Sequence, residues 1–585
     1  MKRNAAQREF KKLQGQLKKI EEIVYNSKIN SFFEHELTLR KKVELLNEME
    51  REGFKNFSEV KAAYIGLLEY VSKALLDDYN RKNNSNFTFE EVIGENFKKL
   101  INSGIITILT KQHIPKLIAR EFERAFPKNP KDEYVKARQI KRKFYLHLGD
   151  TNTGKTYNAM EALRKAKSGM YLSPLRILAL ENFEKLNNLG VPCNLATGEE
   201  EILKEGANHV SCTIEKANIK KICDVAVIDE IQIINDNQRG DAWSRALLGM
   251  PAFEIHVCGA MSSKNLLIKI LEDIGEEYEI KEYERNTPLI VEEKNFTIND
   301  VKEGDALVLF SKKRVLELAQ TYSKNGIKSS LIYGDLPPEV RKKQYEQFLS
   351  KESKILVSTD AIGMGVNLPI RRIVFMNTRK FDGEEVRDLT SQEVKQIAGR
   401  AGRKGIYNEG FVATVTGNQN FIKSKIENKD DDITSAVIGP SDAILTIKGL
   451  SLKEKLALWK ERKESLEYYR KMDITDYLII LDRIKKYKLR EEDQWNLLKV
   501  AFDITKDDLM ETFLNYVDEV FILNYKTLTK PQCFTGALDE LELYYQKINI
   551  YYSFSKLFNL TLDMEWVTTE RLRVSEEINN ILILM

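Results

Sequence analysis

Short apolar runs alternate along the middle of the chain with stretches in which apolar residues recur at three- and four-residue steps. A short apolar run bounded by turn residues predicts a buried strand, and the helical spacing predicts an amphipathic helix. The predicted strands form two sets, 144–148, 169–172, 209–212, 225–228 and 254–258, then 306–310, 328–333, 354–358, 372–376 and 411–415. Strands that alternate with helices at this spacing form parallel sheets with crossover helices, so we predict an α/β fold with two such sheets in tandem.

The two ends of the chain show only the helical pattern, up to about residue 125 and again from about Asp442. We therefore predict four parts along the chain. They are a helical N-terminal region at 1–135, a first sheet domain at 136–284, a second sheet domain at 285–435 and a helical C-terminal region at 436–585.

The composition is that of ordinary globular protein, with 42% apolar and 31% charged residues and a formal net charge of +3. Lys and Arg number 91 against 88 Asp and Glu, so a nucleic-acid surface would have to be a local channel. No apolar run approaches the ~20 residues of a membrane span, and we expect no membrane partner. The five cysteines, at 193, 212, 223, 258 and 533, show no Cys-x-x-Cys spacing and indicate reduced thiols rather than a zinc site.

Residues 149–156 read Gly-Asp-Thr-Asn-Thr-Gly-Lys-Thr and directly follow the first predicted strand. The segment fits the phosphate-cradling P-loop pattern at each fixed position, and a surface turn rich in Gly and Asn is a weak alternative. Because a helix should begin at about Lys155, backbone N–H groups and the helix dipole would face the phosphates of a nucleoside triphosphate. Lys155 would add a positive charge, and Thr156 would hold Mg²⁺. The predicted nucleotide-binding residues are Gly149, Thr151, Asn152, Thr153, Gly154, Lys155 and Thr156.

Two adjacent carboxylates, Asp229 and Glu230, end the apolar run at 225–228. The carboxyl edge of a parallel sheet is where ligands bind in P-loop folds. We therefore expect Asp229 to reach the Mg²⁺ shell and Glu230 to polarise the attacking water. A solvated turn is the alternative for an isolated Asp-Glu pair.

Two arginines three residues apart, Arg400 and Arg403, stand among glycines and alanine in the segment 396–403. Guanidinium groups neutralise charge on a transferring phosphoryl group, and supplied from a second domain they make hydrolysis depend on domain closure. The alternative is an ordinary basic helix face.

Together these motifs make the chain resemble a superfamily-two DExH-type helicase, most closely the Suv-three family of RNA helicases associated with mitochondrial RNA degradation. The resemblance covers roughly residues 137–425 and is weaker in the helical tail. Its elements are ARQIKRKFYLHLGDTNTGKTY at 137–157, SPLRILALE at 173–181, NLATGEEE at 194–201, HVSCTIEKA at 209–217, VAVIDEIQII at 225–234, RGDAWSRALLG at 239–249, YGDLPPEVRKKQ at 333–344, STDAIGMGVNLPIRRIVF at 358–375 and TRKFDGEEVRDLTSQEVKQIAGRAGRKG at 378–405.

The resemblance implies two tandem RecA-like P-loop domains flanked by helical regions. It also implies that Gln396 contacts the γ-phosphate and the attacking water. Gly365 would lie in a motif that couples the state of the bound nucleotide to the contacts with the nucleic-acid strand, and it would contact the nucleotide. The resemblance also implies nucleic-acid contacts, most of them small or hydroxyl-bearing residues that suit sequence-independent phosphate contacts. These are Pro174, Arg176, Thr197, Gly198, Thr213, Ser311, Gly334, Thr359 and Asn367. Each of them taken alone could instead be a turn or cap residue.

The function implied is that of an ATP-dependent RNA helicase or translocase, moving 3′ to 5′ on single-stranded or overhang RNA in RNA processing or decay, with ATP and Mg²⁺ as cofactors. A 3′ exoribonuclease is a possible partner in the same process. Two alternatives stay open. A DNA-directed helicase is one, because phosphate contacts do not distinguish ribose from deoxyribose. The other is an ATP-switched RNA-binding scaffold that does not unwind.

The expected location is cytoplasmic, and the mitochondrial matrix is the less favoured alternative. The first twenty residues carry seven Lys or Arg against one Glu, as a presequence could. However, Phe10, Leu13, Leu17, Ile20 and Val24 recur at helical spacing, which predicts a helix that packs against a core.

Three features are left open by the sequence. Residues 260–263 depart from the pattern of relatives, which leaves unassigned how hydrolysis is coupled to strand separation. Arg138 and Arg142 precede the P-loop and could contact adenine or form ordinary salt bridges. Tyr544 and Tyr545 stand near basic residues and could stack on single-stranded bases, although packing in a core is the favoured interpretation.

Overall fold

The computed structural model describes residues 3–94, 96–285, 287–363, 368–383, 385–403, 406–415 and 417–585. The predicted residues Gly365 and Asn367 lie outside these ranges. The chain divides into two compact units, one of residues 1–125 with 446–449 and one of residues 126–445 with 450–585.

The strands are β1 (Lys143–Gly149), β2 (Gly169–Ser173), β3 (Cys193–Ala196), β4 (Glu201–Ile202), β5 (His209–Thr213), β6 (Cys223–Ile228), β7 (Ala252–Gly259), β8 (Glu277–Tyr283), β9 (Leu289–Val291), β10 (Asp305–Val308), β11 (Ser329–Ile332), β12 (Ile355–Ser358), β13 (Arg372–Phe375), β14 (Arg379–Phe381), β15 (Val386–Asp388), β16 (Gly410–Thr414), β17 (Ala436–Ile438) and β18 (Tyr469–Lys471).

The helices are α1 (Arg3–Asn26), α2 (Phe32–Glu48), α3 (Phe57–Asn83), α4 (Phe89–Ile93), α5 (Lys98–Ser103), α6 (Ile105–Ile108), α7 (Ile114–Ala125), α8 (Val135–Arg138), α9 (Lys155–Lys165), α10 (Arg176–Asn188), α11 (Gly240–Gly249), α12 (Lys264–Ile274), α13 (Lys312–Lys324), α14 (Pro338–Leu349), α15 (Ser391–Ala398), α16 (Gln419–Glu427), α17 (Leu452–Glu461), α18 (Thr475–Ile484), α19 (Glu491–Leu497), α20 (Asp507–Phe521), α21 (Leu538–Leu557) and α22 (Met564–Leu584).

The smaller unit is helical, and its core lies between α1, α2 and α3. The predicted apolar stripe of α1 packs inward, since Phe10, Leu13 and Val24 are buried. One carboxylate stands inside this core: Glu36 accepts hydrogen bonds from the Ser72 hydroxyl at 2.8 Å and from the Ile105 backbone N–H at 2.9 Å. A buried carboxylate bound in this way fixes the packing of α2 on α3 and α6.

The larger unit contains both predicted sheets. The first has eight strands in the order β4-β3-β5-β2-β6-β7-β1-β8, parallel except for the β3–β4 pair. The second has six strands in the order β11-β12-β10-β13-β16-β9, all of them parallel. All ten predicted strands are present, and the prediction of an α/β fold with two tandem sheets and helical flanks is confirmed.

The strands that the pattern missed lie mainly at sheet edges. In β8, exposed and half-buried residues alternate along the strand, and three Glu and one Lys interrupt the apolar run that marks a central strand. The strands β3, β4 and β9 are only two to four residues long. A short or charged edge strand gives little apolar signal, because only one side of it pairs with the sheet.

The C-terminal region contributes to the core of the first sheet domain. Its strand β17 packs against α11 and pairs with β18, and Tyr468 and Tyr469 join the same apolar cluster as β1 and β6. Tyr544 and Tyr545 are likewise buried. The suggestion that these two rings stack on bases is therefore wrong, and core packing is the correct interpretation.

Candidate nucleotide site and nucleic-acid groove

The P-loop connects β1 to α9 at the carboxyl edge of the first sheet. A Cβ on Gly149 would lie 2.1 Å from the carbonyl oxygen of Tyr283 in β8, so only glycine fits there. Asn152 and Gly154 have φ angles of 64° and 87°, and Gly154 is the N-cap of α9. These left-handed residues turn the loop sharply enough for its N–H groups and the start of α9 to face one point.

The side chains of the P-loop are held by the loop itself. The Lys155 ammonium donates to the carbonyl oxygens of Gly149 at 3.0 Å and Asp150 at 2.9 Å. The Thr153 hydroxyl donates to the Asp150 carbonyl at 3.0 Å. The positive charge of Lys155 is thus kept over the loop rather than extended into solvent.

The two predicted acids follow β6, which is separated from the P-loop strand β1 by β7. Asp229 accepts hydrogen bonds from the Thr156 hydroxyl at 3.2 Å and from the buried Tyr171 hydroxyl at 2.9 Å. Burial, with repulsion from Glu230, raises the pKa of Asp229. A hydroxyl and a carboxylate in contact form an oxygen donor set of the kind that Mg²⁺ takes from proteins, with the remaining positions left for water and phosphate oxygens.

Glu230 adopts a strained backbone conformation, with a φ of 51°. Strain of this kind persists where the surrounding structure holds the residue in place. The side-chain amide of Gln232 donates to the Glu230 carboxylate, and its oxygen accepts from the Ala260 N–H at 3.1 Å. Gln232 therefore links the acid pair to the segment 260–263, whose coupling role the sequence left open.

The loop 399–403 of the second sheet domain reaches the P-loop. Arg400 donates to the Gly363 carbonyl at 3.0 Å, and Asn152 of the P-loop donates to the Gly402 carbonyl at 3.1 Å. Burial lowers the pKa of Arg400, while the negative charge of Glu230 opposes that change. The arginine from one domain thus lies within electrostatic reach of the acid from the other.

One further contact tightens this junction, and Gln396 lies beside it. A Cβ on Gly399 would lie 2.7 Å from the Cβ of Thr151. The backbone of the loop 399–403 therefore contacts the P-loop at Gly399, where a larger residue would clash. Gln396 lies on α15, with its Cγ 3.5 Å from where a Cβ on Gly363 would be. Arg403 is half-buried on the same loop. The structure therefore brings together the predicted catalytic residues Lys155, Glu230, Gln396 and Arg400 at one junction.

A groove of about 800 Å³ runs between the two sheet domains beside this junction. Four of the predicted site residues line it, Ser311, Gly334, Thr359 and Gln396. Ser311 caps α13 by accepting from the Arg314 N–H at 3.3 Å, and Gly334 is exposed. The groove also contains side chains that sequence reasoning missed, among them Arg239, Phe310, Lys312, Arg341 and Lys380.

The predicted contacts from the first domain are not among the described residues that line this groove. Thr197 is buried and accepts from the N–H groups of Glu199 at 3.2 Å and Glu200 at 3.0 Å, as a turn residue does. Pro174 is buried, Gly198 is exposed and Thr213 is half-buried at the end of β5. Their contact with nucleic acid stays a prediction.

Arg176 is tied into a network that joins both sheet domains to the C-terminal helices. Its side chain, 10% exposed, pairs with Glu199, with Glu200 at 3.0 Å and with Glu339 of α14 at 3.0 Å. It also donates to the Tyr545 hydroxyl at 2.9 Å, which donates in turn to Glu339 at 2.7 Å. In this conformation the guanidinium is occupied by protein partners and is unavailable to a phosphate.

Replacing Tyr545 with phenylalanine should lower the stability of the chain by about 1–3 kcal/mol, because a buried guanidinium and a carboxylate each lose a partner while the ring stays. The melting temperature of Tyr545→Phe, compared with that of wild type, measures this. Tyr525→Phe, at a tyrosine 46% exposed in the same region, is the control and should melt as wild type does. Equal melting of all three proteins would contradict the importance of the network.

Arg138 and Arg142 are structural rather than adenine-binding. Arg142 is 1% exposed and donates to Glu276 at 2.9 Å and to the Met250 carbonyl at 3.0 Å. Arg138 pairs with the same glutamate at 3.1 Å. The salt-bridge alternative is therefore correct, and burial holds Arg142 away from any ligand.

A chain of hydrogen bonds leads from the interior of the first sheet to the P-loop helix. His147 contacts the buried His256 at 2.9 Å and the Tyr283 hydroxyl at 2.7 Å. Asn158 of α9 donates to the same hydroxyl at 3.1 Å. Burial, together with the neighbouring His256 and Lys281, lowers the pKa of His147 to about 4.

The stability of the fold should therefore decline in acid because of His147. Its folded pKa of about 4 lies below the unfolded value of ~6.5, so its contribution is complete above pH ~6.5 and is lost as the pH falls towards 4. The loss should reach up to about 3 kcal/mol. Melting temperatures of wild type and His147→Gln between pH 7.5 and 4.5 measure it. The variant should show a shallower decline, and parallel curves for the two proteins would refute the assignment.

None of the described helices has both the length and the apolar character that a bilayer crossing requires.

A P-loop sheet domain that meets an arginine of a second parallel sheet domain beside a groove defines a two-domain, helicase-type architecture. Comparisons of the sequence agree. Residues 130–283 match the family described as the DEXQ-box helicase domain of Suv3, residues 291–405 match the helicase conserved C-terminal domain, and residues 538–583 match the ATP-dependent RNA helicase SUV3 C-terminal domain. Two of these three matches are to Suv3 domains, and the resemblance found in the motifs is confirmed.

Individual relatives are similar over the same region. The chain is 43% identical over 311 residues to the DExH-box ATP-dependent RNA helicase DExH18 of Arabidopsis thaliana, covering 52% of this chain and 40% of that protein. It is 44% identical over 326 residues to the ATP-dependent RNA helicase SUV3 of Candida albicans, covering 54% and 45%. It is 41% identical over 326 residues to the human ATP-dependent RNA helicase SUPV3L1, covering 53% and 42%. The matched region thus spans less than half of each of these relatives.

The expectation of a cytoplasmic location is wrong. The three relatives are each named as mitochondrial proteins, and so are the SUV3 proteins of Saccharomyces cerevisiae and Oryza sativa. The resemblance to the Suv-three family and the basic composition of the first twenty residues were the signals in the sequence that agreed with this compartment.

Proposed function

We propose that the protein is an ATP-dependent RNA helicase that translocates 3′ to 5′ on single-stranded or overhang RNA. The observation that carries the proposal is the junction of the two sheet domains, where Arg400 stands opposite Glu230 beside the groove. ATP hydrolysis at such a junction changes how the two domains meet. Because the groove beside the junction is lined by both domains, its contacts with a bound RNA strand change at the same time.

The nucleotide chemistry that we propose assigns one task to each side chain. The P-loop from Gly149 to Thr156 cradles the phosphates, and Lys155 neutralises their charge. Thr156 and Asp229 hold Mg²⁺, which when bound neutralises charge on the phosphate oxygens. Glu230 accepts a proton from the attacking water, and Gln396 orients that water. Asn152 and Gly154 shape the loop, and Gly365 completes the nucleotide contacts from the second domain.

Arg400 and Arg403 are proposed to stabilise the charge that develops on the phosphoryl group. Arg400 is partly buried and has a lowered pKa, so its charge acts in a region poor in water, where an electrostatic interaction is strong. Because both arginines belong to the second domain and the P-loop to the first, turnover requires the two domains to be closed. Product release then lets them separate.

The grip on RNA is proposed to come from Ser311, Gly334, Thr359 and Asn367 in the second domain. Pro174, Arg176, Thr197, Gly198 and Thr213 are the proposed contacts in the first domain. Hydroxyl groups and exposed backbone N–H groups contact phosphates without reading sequence. Arg176 would have to leave its carboxylate partners to take part, which domain movement could bring about, since Glu339 lies in the other sheet domain.

Strand displacement on matched duplexes tests the proposal. RNA and DNA duplexes carrying a 3′ or a 5′ single-stranded overhang are incubated with ATP, Mg²⁺ and the protein. We expect displacement of the RNA duplex with the 3′ overhang. Equal or better displacement of DNA would favour a DNA-directed helicase. RNA-stimulated ATP hydrolysis without any displacement would favour an ATP-switched scaffold.

A role in RNA decay beside a 3′ exoribonuclease, in mitochondria, is the biological setting that we propose. The support is the resemblance to the Suv3 family and the mitochondrial names of the relatives. Co-purification of a 3′ exonuclease activity with the tagged protein from its native cells tests this part separately from the ATPase.

A further inference from the structure

Arg285 lies in the linker between the two sheet domains, after β8 and before β9. Its guanidinium group bonds to both sides of the junction. It donates to the Gly399 carbonyl at 2.8 Å, to the Ala401 carbonyl and, at a longer 3.4 Å, to the Thr151 carbonyl of the P-loop. Its Nε donates to the carbonyl of Thr287 in the linker itself at 2.6 Å. One side chain thus joins the P-loop, the linker and the loop that carries Arg400 and Arg403.

All the hydrogen bonds described for Arg285 go to carbonyl oxygens. Burial lowers the pKa of this guanidinium, and the nearby Asp150 carboxylate opposes the change. A half-buried cation whose hydrogen bonds all go to carbonyl groups is costly, since these groups carry only partial negative charge. An arginine in such surroundings therefore indicates a geometric task that a neutral side chain would not perform.

The task follows from the shape of the group. A guanidinium is a rigid planar fork whose donors point in fixed directions, whereas a lysine ammonium is a point charge on a flexible stem. Only the fork can bond to Gly399, Ala401 and Thr151 together and so set the distance between their loops. Arg400 lies between two of these anchored carbonyls, so its position relative to the P-loop depends on Arg285.

We propose that Arg285 is a positioning residue for ATP hydrolysis, holding the loop 399–403 against the P-loop so that Arg400 reaches the phosphates. The inference rests on the proposed ATPase and deepens it, because it makes the linker a working part of the site. Arg285 acts through Arg400 and need not touch the nucleotide. Its loss should therefore change the rate of turnover more than the binding of ATP.

The test uses the whole chain of residues 1–585 and the variants Arg285→Ala, Arg285→Lys and Arg285→Gln. RNA-stimulated kcat should fall about 10- to 100-fold in each, since a displacement of about 1 Å can cost 10²-fold in rate. The affinity for a non-hydrolysable ATP analogue should stay within about threefold, because the loss is confined to the transition state. The control is Arg164→Ala, at an α9 arginine paired with Glu161 at 2.8 Å on the surface, and it should behave as wild type.

A double-mutant cycle with Arg400→Ala separates positioning from a general loss of structure. If Arg285 acts through Arg400, then Arg285→Ala should lower kcat less than about twofold further when Arg400 is already alanine. The inference would be overturned if the kcat loss of the double variant equalled the product of the losses of the two single variants. A wild-type kcat in Arg285→Lys would also overturn it. Arg285→Lys also keeps the buried charge, so it remains informative if the alanine variant folds poorly.

The outcomes distinguish this inference from the proposed function. A wild-type protein without RNA-stimulated ATP hydrolysis would end the proposed function, and this inference with it. A wild-type ATPase that loses turnover in Arg400→Ala but keeps it in Arg285→Ala would leave the proposed function standing and refute the positioning role alone.

Discussion

Glu230→Gln should abolish ATP turnover while the nucleotide still binds. Glutamine keeps the shape of the side chain and can still accept the hydrogen bond from Gln232, but it cannot take a proton from water. Loss of a general base typically costs ~10²–10⁴-fold in rate, and we expect about 10³-fold here. Asp229 and Thr156 are untouched, so the expected result is a nucleotide bound and trapped.

The measurement is kcat for RNA-stimulated hydrolysis, with binding of a fluorescent ATP analogue measured on the same preparations. Lys155→Ala serves as the contrast, because loss of the phosphate-facing charge should weaken binding itself. Glu205→Gln, at an exposed glutamate of the same domain, is the matched control. Normal turnover by Glu230→Gln would overturn the assignment of the base, whatever its effect on binding.

Arg400→Ala should reduce kcat by about 10³-fold, because arginines supplied to a transferring phosphoryl group are worth that much or more. ATP affinity should change only within several-fold, since the group acts on charge that develops in the transition state. Arg403→Ala should act in the same direction from the same loop. Both rates and affinities are measured with saturating RNA.

The control for these arginines is Arg483→Ala, at an exposed arginine in the last turn of α18, which should leave both quantities unchanged. A collapse of affinity with kcat intact in Arg400→Ala would make that residue a ground-state ligand. In that case the dependence of hydrolysis on closure of the two sheet domains would be wrong.

Removing the C-terminal region is a poor substitute for these point variants. Ile433, Ala436, Tyr468 and Tyr469 belong to the apolar cluster of the first sheet domain. A fragment that stops before them would expose part of that core to water. Any loss of ATPase activity in such a fragment would then report unfolding as well as the role of the tail.

The sequence by itself determined the local chemistry of this protein. The P-loop, the acid pair after β6 and the arginine loop each depend on residue types at fixed spacing, so they are visible in one short segment. Nine of the ten predicted strands lie inside the two sheets, where both faces are covered and the apolar run is continuous, and the tenth, β11, is an edge strand that pairs with β12. The tandem α/β architecture follows from the same pattern.

Only the tertiary structure decided which distant residues meet. Arg176 contacts Tyr545 across 369 residues, and Arg285 contacts Gly399 across 114. Neither pairing leaves a periodic signal, because a hydrogen bond between remote segments needs only one suitable side chain at each end. The same holds for the edge strand β8, whose charged face resembles a loop until the sheet supplies its partner. Burial in the folded core, rather than residue type, also made Tyr545 a packing residue instead of a surface for bases.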